Sequence, residues 1–281
     1  MLVETHVHTR YSKGERVLFD AIDSPSSMVE AAIRNGIDVL SISDHDTTRG
    51  VAEAKKAAAG KDIMIVQGEE ISSSDGHVLA FGISERIAEG KSAEETIDAI
   101  REQAGLAIAP HPFDIYKKGV KSKAQLCDAV EVFNPLNIDR LSNRRSRKWV
   151  KDKKLVAVAG SDAHCKEMLG FGSLILPERY DSIDSVIKAI KNGKSTHRTQ
   201  YNPLSTTLRW NVQRMQLSYD QVLDHIMKNY TGPKKHLSKW LLKSTKHSPG
   251  KIDYFYKLLA YIGISSSVIY SATKGRRIME M

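Results

Sequence analysis

The chain has 281 residues, of which 41% are hydrophobic and 27% are charged, and this balance excludes a disordered or fibrous protein. Its formal net charge of +9 lies in residues 201–281, where 13 Lys and Arg accompany 4 Asp and Glu, whereas residues 1–200 hold 29 of each sign. The chain has two cysteines, and Glu4 and His6 interrupt the stretch where a signal peptide would be apolar, so we expect a reducing, cytoplasmic setting.

The uneven charge divides the chain into two parts with different expected roles. Residues 1–200 form a neutral body that is long enough for an α/β catalytic or binding domain. Residues 201–281, called the C-terminal extension below, carry an excess of positive charge that suits a polyanion such as nucleic acid or an anionic membrane surface. The alternative is that these lysines and arginines only solvate a small helical appendage.

Short apolar runs alternate with amphipathic stretches over the first 200 residues. The runs predict strands at 2–8, 39–45, 63–72, 77–83, 106–112, 129–134, 155–164 and 173–177. Helices are predicted at 26–36, 92–105, 137–153 and 182–193. The first two carry capping-box spacings, Ser27 to Glu30 and Ser92 to Glu95. Alternating elements of this kind predict a parallel sheet covered by helices, and their number favours a closed or nearly closed barrel.

The C-terminal extension is predicted to be mainly helical. Helices are predicted at 207–229 and 234–245. The stretch 258–273 is strongly apolar, but its 16 residues fall short of the roughly 20 needed to cross a bilayer. We therefore expect either a helix docked on the barrel or a membrane-surface anchor over 258–277, which ends in "KGRR".

The first predicted strand ends in "HVH", with His6 and His8 one residue apart. Residues i and i+2 of a strand point to the same face, so both imidazoles would be presented to one side of the sheet. Two imidazoles on one face are typical of a metal site. The other predicted strands show whether further ligands are available.

Most of the other predicted strands also end in a histidine or a carboxylate. In a parallel β/α barrel the C-terminal ends of the strands form the mouth that carries the active site, and His77 enters that mouth from a loop or hairpin. A cluster of imidazoles and carboxylates is costly unless a cation binds between them. Eight such donors can hold two divalent ions, or three if Glu70 bridges. The donors are His6, His8, His45, Glu70, His77, His111, Asp162 and His164.

The ordered motifs "HVH", "SDHD", "GEEIS", "GHVLAFG", "APHP", "EVFN" and "GSDAH" resemble the PHP family, named for polymerase and histidinol phosphatase domains. The resemblance covers about residues 1–200. It implies a distorted, TIM-like (β/α)7 barrel with a two- or three-metal centre that hydrolyses phosphate esters. The ions would be manganese, zinc or iron, and Glu70, Asp162 and His111 would be the catalytic residues.

The resemblance also implies how the ligands are shared. A first metal would be bound by His6, His8, Glu70 and Asp162, a second by Glu70, His77 and His111, and a third by His45 and His164. Glu70 is preferred to Glu69 because the family's glutamate directly precedes an apolar residue and Ser or Thr, as in "EIS".

The chain departs from the family pattern after "HVH". Many relatives carry an acid or histidine for the third metal five or six residues later, where this chain has Lys13 and Gly14. Either a nearby acid replaces that ligand, or Lys13 supplies a fixed positive charge for the substrate phosphate. The replacement candidates are Glu15, Asp20 and Asp23.

Other polar residues near the predicted mouth suit supporting roles. Asp44 and Asp46 are placed to orient His45 or a ligand-bearing loop from outside the metal shell. Arg49 and Arg10 are candidates for gripping the nonreacting phosphate oxygens, because a guanidinium matches phosphate geometry.

Three functions compete. The main hypothesis is a metal-dependent phosphoesterase acting on a phosphorylated small molecule or a nucleic-acid end. An amidohydrolase also opens with two histidines on a first strand, but Glu70 and the "SDAH" motif disfavour that class. A non-catalytic, nucleic-acid-binding barrel subunit would be expected to lose ligands that this chain keeps. We expect residues 1–200 to hydrolyse a small aryl phosphate without the C-terminal extension.

Overall fold

A computed structural model describes residues 1–14 and 17–280, with side chains described as far as residue 275. Within these ranges one mixed sheet has the strand order β7-β6-β5-β4-β3-β2-β1-β8-β9. Eight of its nine strands overlap the predicted runs, and three of them extend one residue beyond the predicted bounds. The strands are β1 (Leu2–Glu4), β2 (Val39–Ile42), β3 (Met64–Ser73), β4 (Gly76–Phe81), β5 (Leu106–Ala109), β6 (Ala129–Phe133), β7 (Ala157–Ala159), β8 (Gly172–Ile175) and β9 (Thr196–Thr199).

The sheet curls into a nearly closed barrel. Beyond β1, Val7 forms a parallel bridge with Ala163, which lies beyond β7, and the His8 amide donates a 2.9 Å hydrogen bond to the Ala163 carbonyl. These contacts join the segments that follow β1 and β7, just past the ends of those strands. The predicted α/β fold, a distorted TIM-like barrel with a helical C-terminal region, is confirmed.

The sheet is not all parallel, which corrects one expectation. Strand β4 is antiparallel to both β3 and β5, and β8 is antiparallel to both β1 and β9. Only Ser74 and Asp75 separate β3 from β4, and two residues permit a hairpin but no parallel crossover. Gly76 opens β4 with a φ of +134°, which favours glycine at this turn. The hairpin brings His77 to the mouth, as predicted.

Among the residues that the structure describes before 201, five α-helices cover the barrel: α1 (Pro25–Arg34), α2 (Gly50–Ala58), α3 (Ala93–Glu102), α4 (Leu141–Lys153) and α5 (Ile183–Lys191). The capping box of Ser92 and Glu95 at the start of α3 is confirmed. The box predicted at Ser27 is wrong, because α1 begins earlier: Ser24 is its N-cap and accepts a hydrogen bond from the Ser27 amide. Helix α2 and strand β9 were not predicted.

Apolar side chains fill the end of the barrel where the parallel strands begin. Val3, Val39 and Val66 belong to one buried cluster with Ile187 and Ile190 of α5. Burial contributes about 1.5–3 kcal/mol for each large aliphatic side chain. Because this end is packed with hydrocarbon, the polar residues that follow the parallel strands gather at the opposite end.

The described part of the C-terminal extension, residues 201–280, contains four α-helices: α6 (Leu204–Leu217), α7 (Tyr219–Asn229), α8 (Gly232–Ser244) and α9 (Ile252–Glu280). The helix predicted over 207–229 is broken at Ser218, whose buried hydroxyl accepts hydrogen bonds from the Leu18 and Phe19 amides. Among the described helices, none has both the length and the apolar character required to traverse a bilayer.

Candidate metal centre

The two histidines that follow β1 converge on one carboxylate oxygen. His6 Nε2 and His8 Nε2 lie 3.1 Å apart, and each lies 3.2 Å from Glu70 Oε2. Both imidazoles are fully buried. Two ring nitrogens this close cannot both carry a proton without repulsion, whereas one cation could be bound by both nitrogens and the carboxylate.

Glu70 is the centre of the cluster and is 1% exposed. Its second oxygen, Oε1, lies 2.9 Å from His77 Nδ1 and 3.0 Å from His111 Nε2. The first oxygen, Oε2, also lies 3.3 Å from His45 Nδ1. Burial alone would raise the pKa of Glu70, but the surrounding imidazoles, His45 and His77 above all, hold it well below its usual range. The carboxylate therefore stays ionised between two groups of histidines.

Asp162 lies on the side of the cluster occupied by His6 and His8. Its Oδ1 atom lies 3.2 Å from His8 Nε2, 3.5 Å from His6 Nε2 and 3.4 Å from His164 Nδ1. Asn134 donates a 3.0 Å hydrogen bond to the other oxygen, Oδ2. The backbone of Asp162 has a φ of +48° and that of His111 a φ of +29°. Left-handed backbone at non-glycine residues is uncommon and is concentrated at functional sites.

A third group of ligands forms beside His8. His164 Nε2 lies 3.0 Å from Asp20 Oδ2, and His45 Nε2 lies 3.7 Å from the same oxygen. Of the three candidate replacement acids, the structure thus brings Asp20 to the cluster. Asp23 instead accepts hydrogen bonds from the Ser27 hydroxyl and the Lys166 amide. Glu15 lies outside the described residues.

The donors fit a divalent cation. Three groups have ligand atoms within 4.8 Å of one another: His6, His8 and Glu70; His45, Glu70 and His77; and His8, His45 and His164. Imidazole nitrogen and carboxylate oxygen are the ligands that zinc, manganese and iron accept. The Nδ1 atom of His111 is buried without a hydrogen-bond partner among the described residues.

Protonation states also suit a cation at this place. Burial lowers the pKa of His8, but Asp162 and Glu70 outweigh it and raise that pKa to about 9. The pKa of His111 is raised to about 9 as well, by Glu70 against burial. Burial instead lowers the pKa of His45 to about 3. In the absence of a cation, His8 and His111 therefore favour their protonated forms and His45 its neutral form. A divalent ion would displace these protons when it binds.

Two residues of the predicted "EVFN" strand, Glu131 and Asn134, were not assigned a role from the sequence but contact the ligands. Glu131 Oε1 lies 2.9 Å from His6 Nδ1, and its Oε2 accepts a hydrogen bond from the His111 amide. Gly160 makes room for it, since a Cβ atom there would lie 1.9 Å from Glu131 Oε1. The signal for Glu131 was a single acid inside an otherwise apolar strand, "AVEVF".

Helix α6 of the C-terminal extension also reaches the cluster. Trp210 donates a 2.8 Å hydrogen bond to the Asp20 carbonyl, and its ring centroid lies 4.8 Å from that of His164. Arg214 Nη1 lies 2.7 Å from Asp20 Oδ1. Burial raises the pKa of Asp20, but His164 and Arg214 outweigh it and hold that pKa below its usual range. Helix α6 of the C-terminal extension therefore forms part of the surroundings of Asp20 and His164.

The two acids of "SDHD" hold the backbone around the ligands. Asp44 is buried and accepts hydrogen bonds from the Thr9 amide, at 2.5 Å, and the Thr9 hydroxyl, at 2.8 Å. Asp46 accepts from the Ser72 amide and hydroxyl at 2.7 and 2.8 Å. Asp44 thus fixes the turn after His8, and Asp46 fixes β3 just after Glu70.

The candidate phosphate-binding cations lie at the surface beside the loop that follows His8. Lys13 and Arg49 are exposed. Arg49 and Arg10 place their guanidinium carbons 5.7 and 5.9 Å from the Tyr11 ring centroid. Arg10 Nη2 also lies 3.3 Å from Glu53. The structure therefore places these cations outside the group of buried ligands.

Parts of the chain are similar in sequence to a family profile and to known proteins. A sequence profile described as PHP-associated matches residues 140–195. An uncharacterized protein of Methanocaldococcus jannaschii is 38% identical over 149 residues, which are 51% of this chain and 87% of that protein. A 3',5'-nucleoside bisphosphate phosphatase of Chromobacterium violaceum is 33% identical over 85 residues, which are 29% of this chain and 27% of that enzyme.

One solved structure extends the comparison beyond the matched sequences. PsfC from Pseudomonas syringae superimposes with a TM-score of 0.55 at 18% sequence identity, over 77% of this chain and 98% of PsfC. At this identity the similarity concerns the fold.

Proposed function

We propose that this chain, which belongs to the PHP family of metal-dependent phosphoesterases, hydrolyses phosphate esters at the cluster centred on Glu70. The observation that carries the proposal is the Glu70 carboxylate, whose two oxygens face two different groups of imidazoles. A carboxylate placed in this way would serve as a ligand in two neighbouring cation sites. The substrates that we propose are nucleotides, small phosphomonoesters and RNA 5′ ends.

Three groups of residues would hold the divalent ions, which we propose to be manganese, zinc or iron. His6, His8, Glu70 and Asp162 would hold the first, Glu70, His77 and His111 the second, and His45, His164 and Asp20 the third. When bound, such ions supply Lewis acidity toward a phosphoryl oxygen and activate water near neutral pH.

Polar groups around the ligands would keep them aimed at the centre. Glu131 engages Nδ1 of His6 and so leaves Nε2 of that ring directed at Glu70. Asn134 occupies one oxygen of Asp162 and leaves the other toward His8. The apolar packing at the opposite end of the barrel holds the strands rigid, so the ligands are preorganised.

The substrate class is the part of the proposal that rests on similarity and surface charge. The bisphosphate phosphatase relative acts on a nucleotide, which supports phosphorylated nucleosides as substrates. Lys13 and Arg49 are our candidates for binding the part of the substrate that does not react, because both lie exposed on segments adjoining the ligand loops.

The test is a metal-depletion and substrate panel on the full chain. We expect a chelator to abolish hydrolysis and added Mn²⁺, Zn²⁺ or Fe²⁺ to restore it on one or more of mononucleotides, nucleoside bisphosphates and 5′-phosphorylated RNA. Metal content and phosphate release are measured on the same samples. Metal-loaded protein that cleaves none of these esters but binds RNA would favour the non-catalytic alternative, and hydrolysis of amides alone would favour the amidohydrolase alternative.

The third ion gives a separate prediction. We expect Asp20→Asn to lower the metal bound per chain by one ion and the turnover by about tenfold, because Asp20 is the carboxylate that faces both His45 and His164. Asp23→Asn is the matched control, since Asp23 hydrogen-bonds outside the cluster. Elemental analysis of both variants measures the number of metal ions bound per chain. Equal metal content in Asp20→Asn and the original protein would remove Asp20 from the ligand set.

The C-terminal extension has two proposed roles. Through α6 it completes the surroundings of Asp20, so we regard residues 1–200 as the catalytic barrel and residues 201–281 as a segment that supports it. Its positive charge also supports binding to nucleic acid or to an anionic membrane surface.

Cys127 and Cys165 are both buried free thiols, which supports the reducing, cytoplasmic setting.

A further inference from the structure

Helix α9 directs its small and polar residues toward the rest of the protein. Ser271 is 1% exposed, and its hydroxyl contacts Arg145 Nη2 at 2.8 Å and the Asp139 carboxylate. One turn further on, a Cβ atom at Gly275 would lie 3.1 Å from Arg145 Nη1. Ala260, Ile264 and Ser267, on the same side of the helix, are also partly covered. The covered side of α9 therefore combines small and hydroxyl residues with the apolar Ile264.

The opposite side of α9 is apolar and faces solvent. Tyr254, Leu258, Tyr261, Ile262 and Ile269 follow helical spacing and are 74%, 57%, 61%, 55% and 65% exposed. We call these five residues the apolar face of α9. A helix docked on a globular protein ordinarily buries its apolar side and leaves its polar side in water. Phe255, Tyr256 and Ile264 of α9 are partly covered, but the apolar face stays in water and therefore requires a partner.

Helix α8 extends this surface. Leu237 and Trp240, three residues apart, are 58% and 50% exposed. The Trp240 ring centroid lies 5.5 Å from that of Phe255 on α9. The exposed apolar residues of α8 therefore adjoin the start of α9.

The charge around the apolar face is almost entirely positive. Between residues 230 and 275 the sequence has eight lysines and a single acid, Asp253, whose carboxylate accepts a hydrogen bond from the Gly250 amide. The Lys257 ammonium lies 5.5 Å from the Tyr254 ring centroid. The lysines are Lys234, Lys235, Lys239, Lys243, Lys246, Lys251, Lys257 and Lys274. A partner that covers this surface must therefore offer both an apolar surface for these side chains and negative charge for the lysines.

We propose that α8 and α9 bind the surface of an anionic lipid bilayer, with the apolar face of α9 entering the boundary between headgroups and acyl chains. Tyrosine and tryptophan are the residues that favour this boundary, and lysines can extend from it to lipid phosphates. Nucleic acid would engage the lysines but leave the apolar face in water. A second copy of the chain would bring two sets of eight lysines together. This inference does not depend on the hydrolytic activity.

The test is flotation of the full chain with vesicles. We expect binding to vesicles of phosphatidylcholine mixed with phosphatidylglycerol, and little binding to phosphatidylcholine alone or at high salt. The double variant Leu258→Glu, Ile262→Glu should weaken binding by at least about tenfold. Ile33→Glu is the matched control, because Ile33 is an isoleucine on α1 that is 39% exposed. This variant should bind the vesicles as the original chain does.

A second double variant tests how much the lysines contribute to vesicle binding, without changing the apolar face. Lys239→Glu with Lys243→Glu should also weaken binding to the anionic vesicles, while circular dichroism and hydrolysis of a soluble ester stay unchanged. Three results would overturn the inference: absence of the original chain from the vesicle fraction, equal binding to neutral and anionic vesicles, or a dimer in light scattering that Leu258→Glu, Ile262→Glu dissociates. Loss of hydrolysis with retained vesicle binding would count against the proposed function alone.

Discussion

Glu70→Gln is expected to lower turnover by about 10³-fold or more and to reduce the metal bound per chain, because it removes the charge that faces both groups of imidazoles. Glutamine keeps the length and shape of the side chain but presents one oxygen and one amide. The amide side repels a cation and leaves either His6 and His8 or His77 and His111 without their shared carboxylate oxygen.

The neighbouring residue provides a matched control. Glu69 is also buried, but its Oε2 accepts a 2.8 Å hydrogen bond from the Ile87 amide and its Oε1 lies 3.6 Å from Arg86, away from the histidines. Burial raises the pKa of Glu69 to about 7, so the neutral amide is a mild change there. Glu69→Gln should keep its metal and lose less than about tenfold in turnover. If both variants lose equal activity at full metal content, Glu70 is not the bridging ligand.

Trp210→Ala is expected to cost about 3–5 kcal/mol in the free energy of unfolding, the usual cost of removing a large buried aromatic side chain. Trp210 is 7% exposed and packs in the cluster that contains Met28 and Val29 of α1. The same change removes the hydrogen bond to the Asp20 carbonyl and the ring contact with His164. We therefore also expect weaker metal binding at the third group of ligands.

Trp240→Ala is the control for this change. Trp240 is 50% exposed on α8, and its loss should cost less than about 1 kcal/mol and leave the metal content unchanged. Denaturant unfolding of both variants, with elemental analysis of the folded protein, measures the two effects. Similar stability for the two variants would mean that α6 is not held against the barrel as described, and residues 1–200 could then be expected to act alone.

The strand ends could be predicted from the sequence because two local signals coincide there. Most of the apolar runs end in a histidine or a carboxylate, and the C-terminal ends of parallel strands meet at one mouth. His6, His8, Glu70 and Asp162 were found in this way, and the structure brings them within hydrogen-bonding distance or slightly beyond.

The contacts made by Asp20 and Arg214 have no local signal in the sequence. Asp20 lies in an irregular segment between β1 and α1, and the choice among three acids depends on how that segment folds back toward His164. Arg214 meets Asp20 across 194 residues of sequence, and helical periodicity says nothing about which barrel loop a helix contacts. The sequence left open whether His77 enters from a loop or from a hairpin, because an apolar run does not reveal the direction of its strand, here antiparallel to β3.

The central claim is that divalent cations gather these imidazoles and carboxylates at one mouth. Anomalous diffraction from crystals of the full chain soaked in Mn²⁺ tests it most directly. We expect peaks on both sides of the Glu70 carboxylate, one beside His6, His8 and Asp162 and one beside His77 and His111. A crystal in which Mn²⁺ binds elsewhere, or in which the cluster stays free of metal at saturating Mn²⁺, would contradict the account.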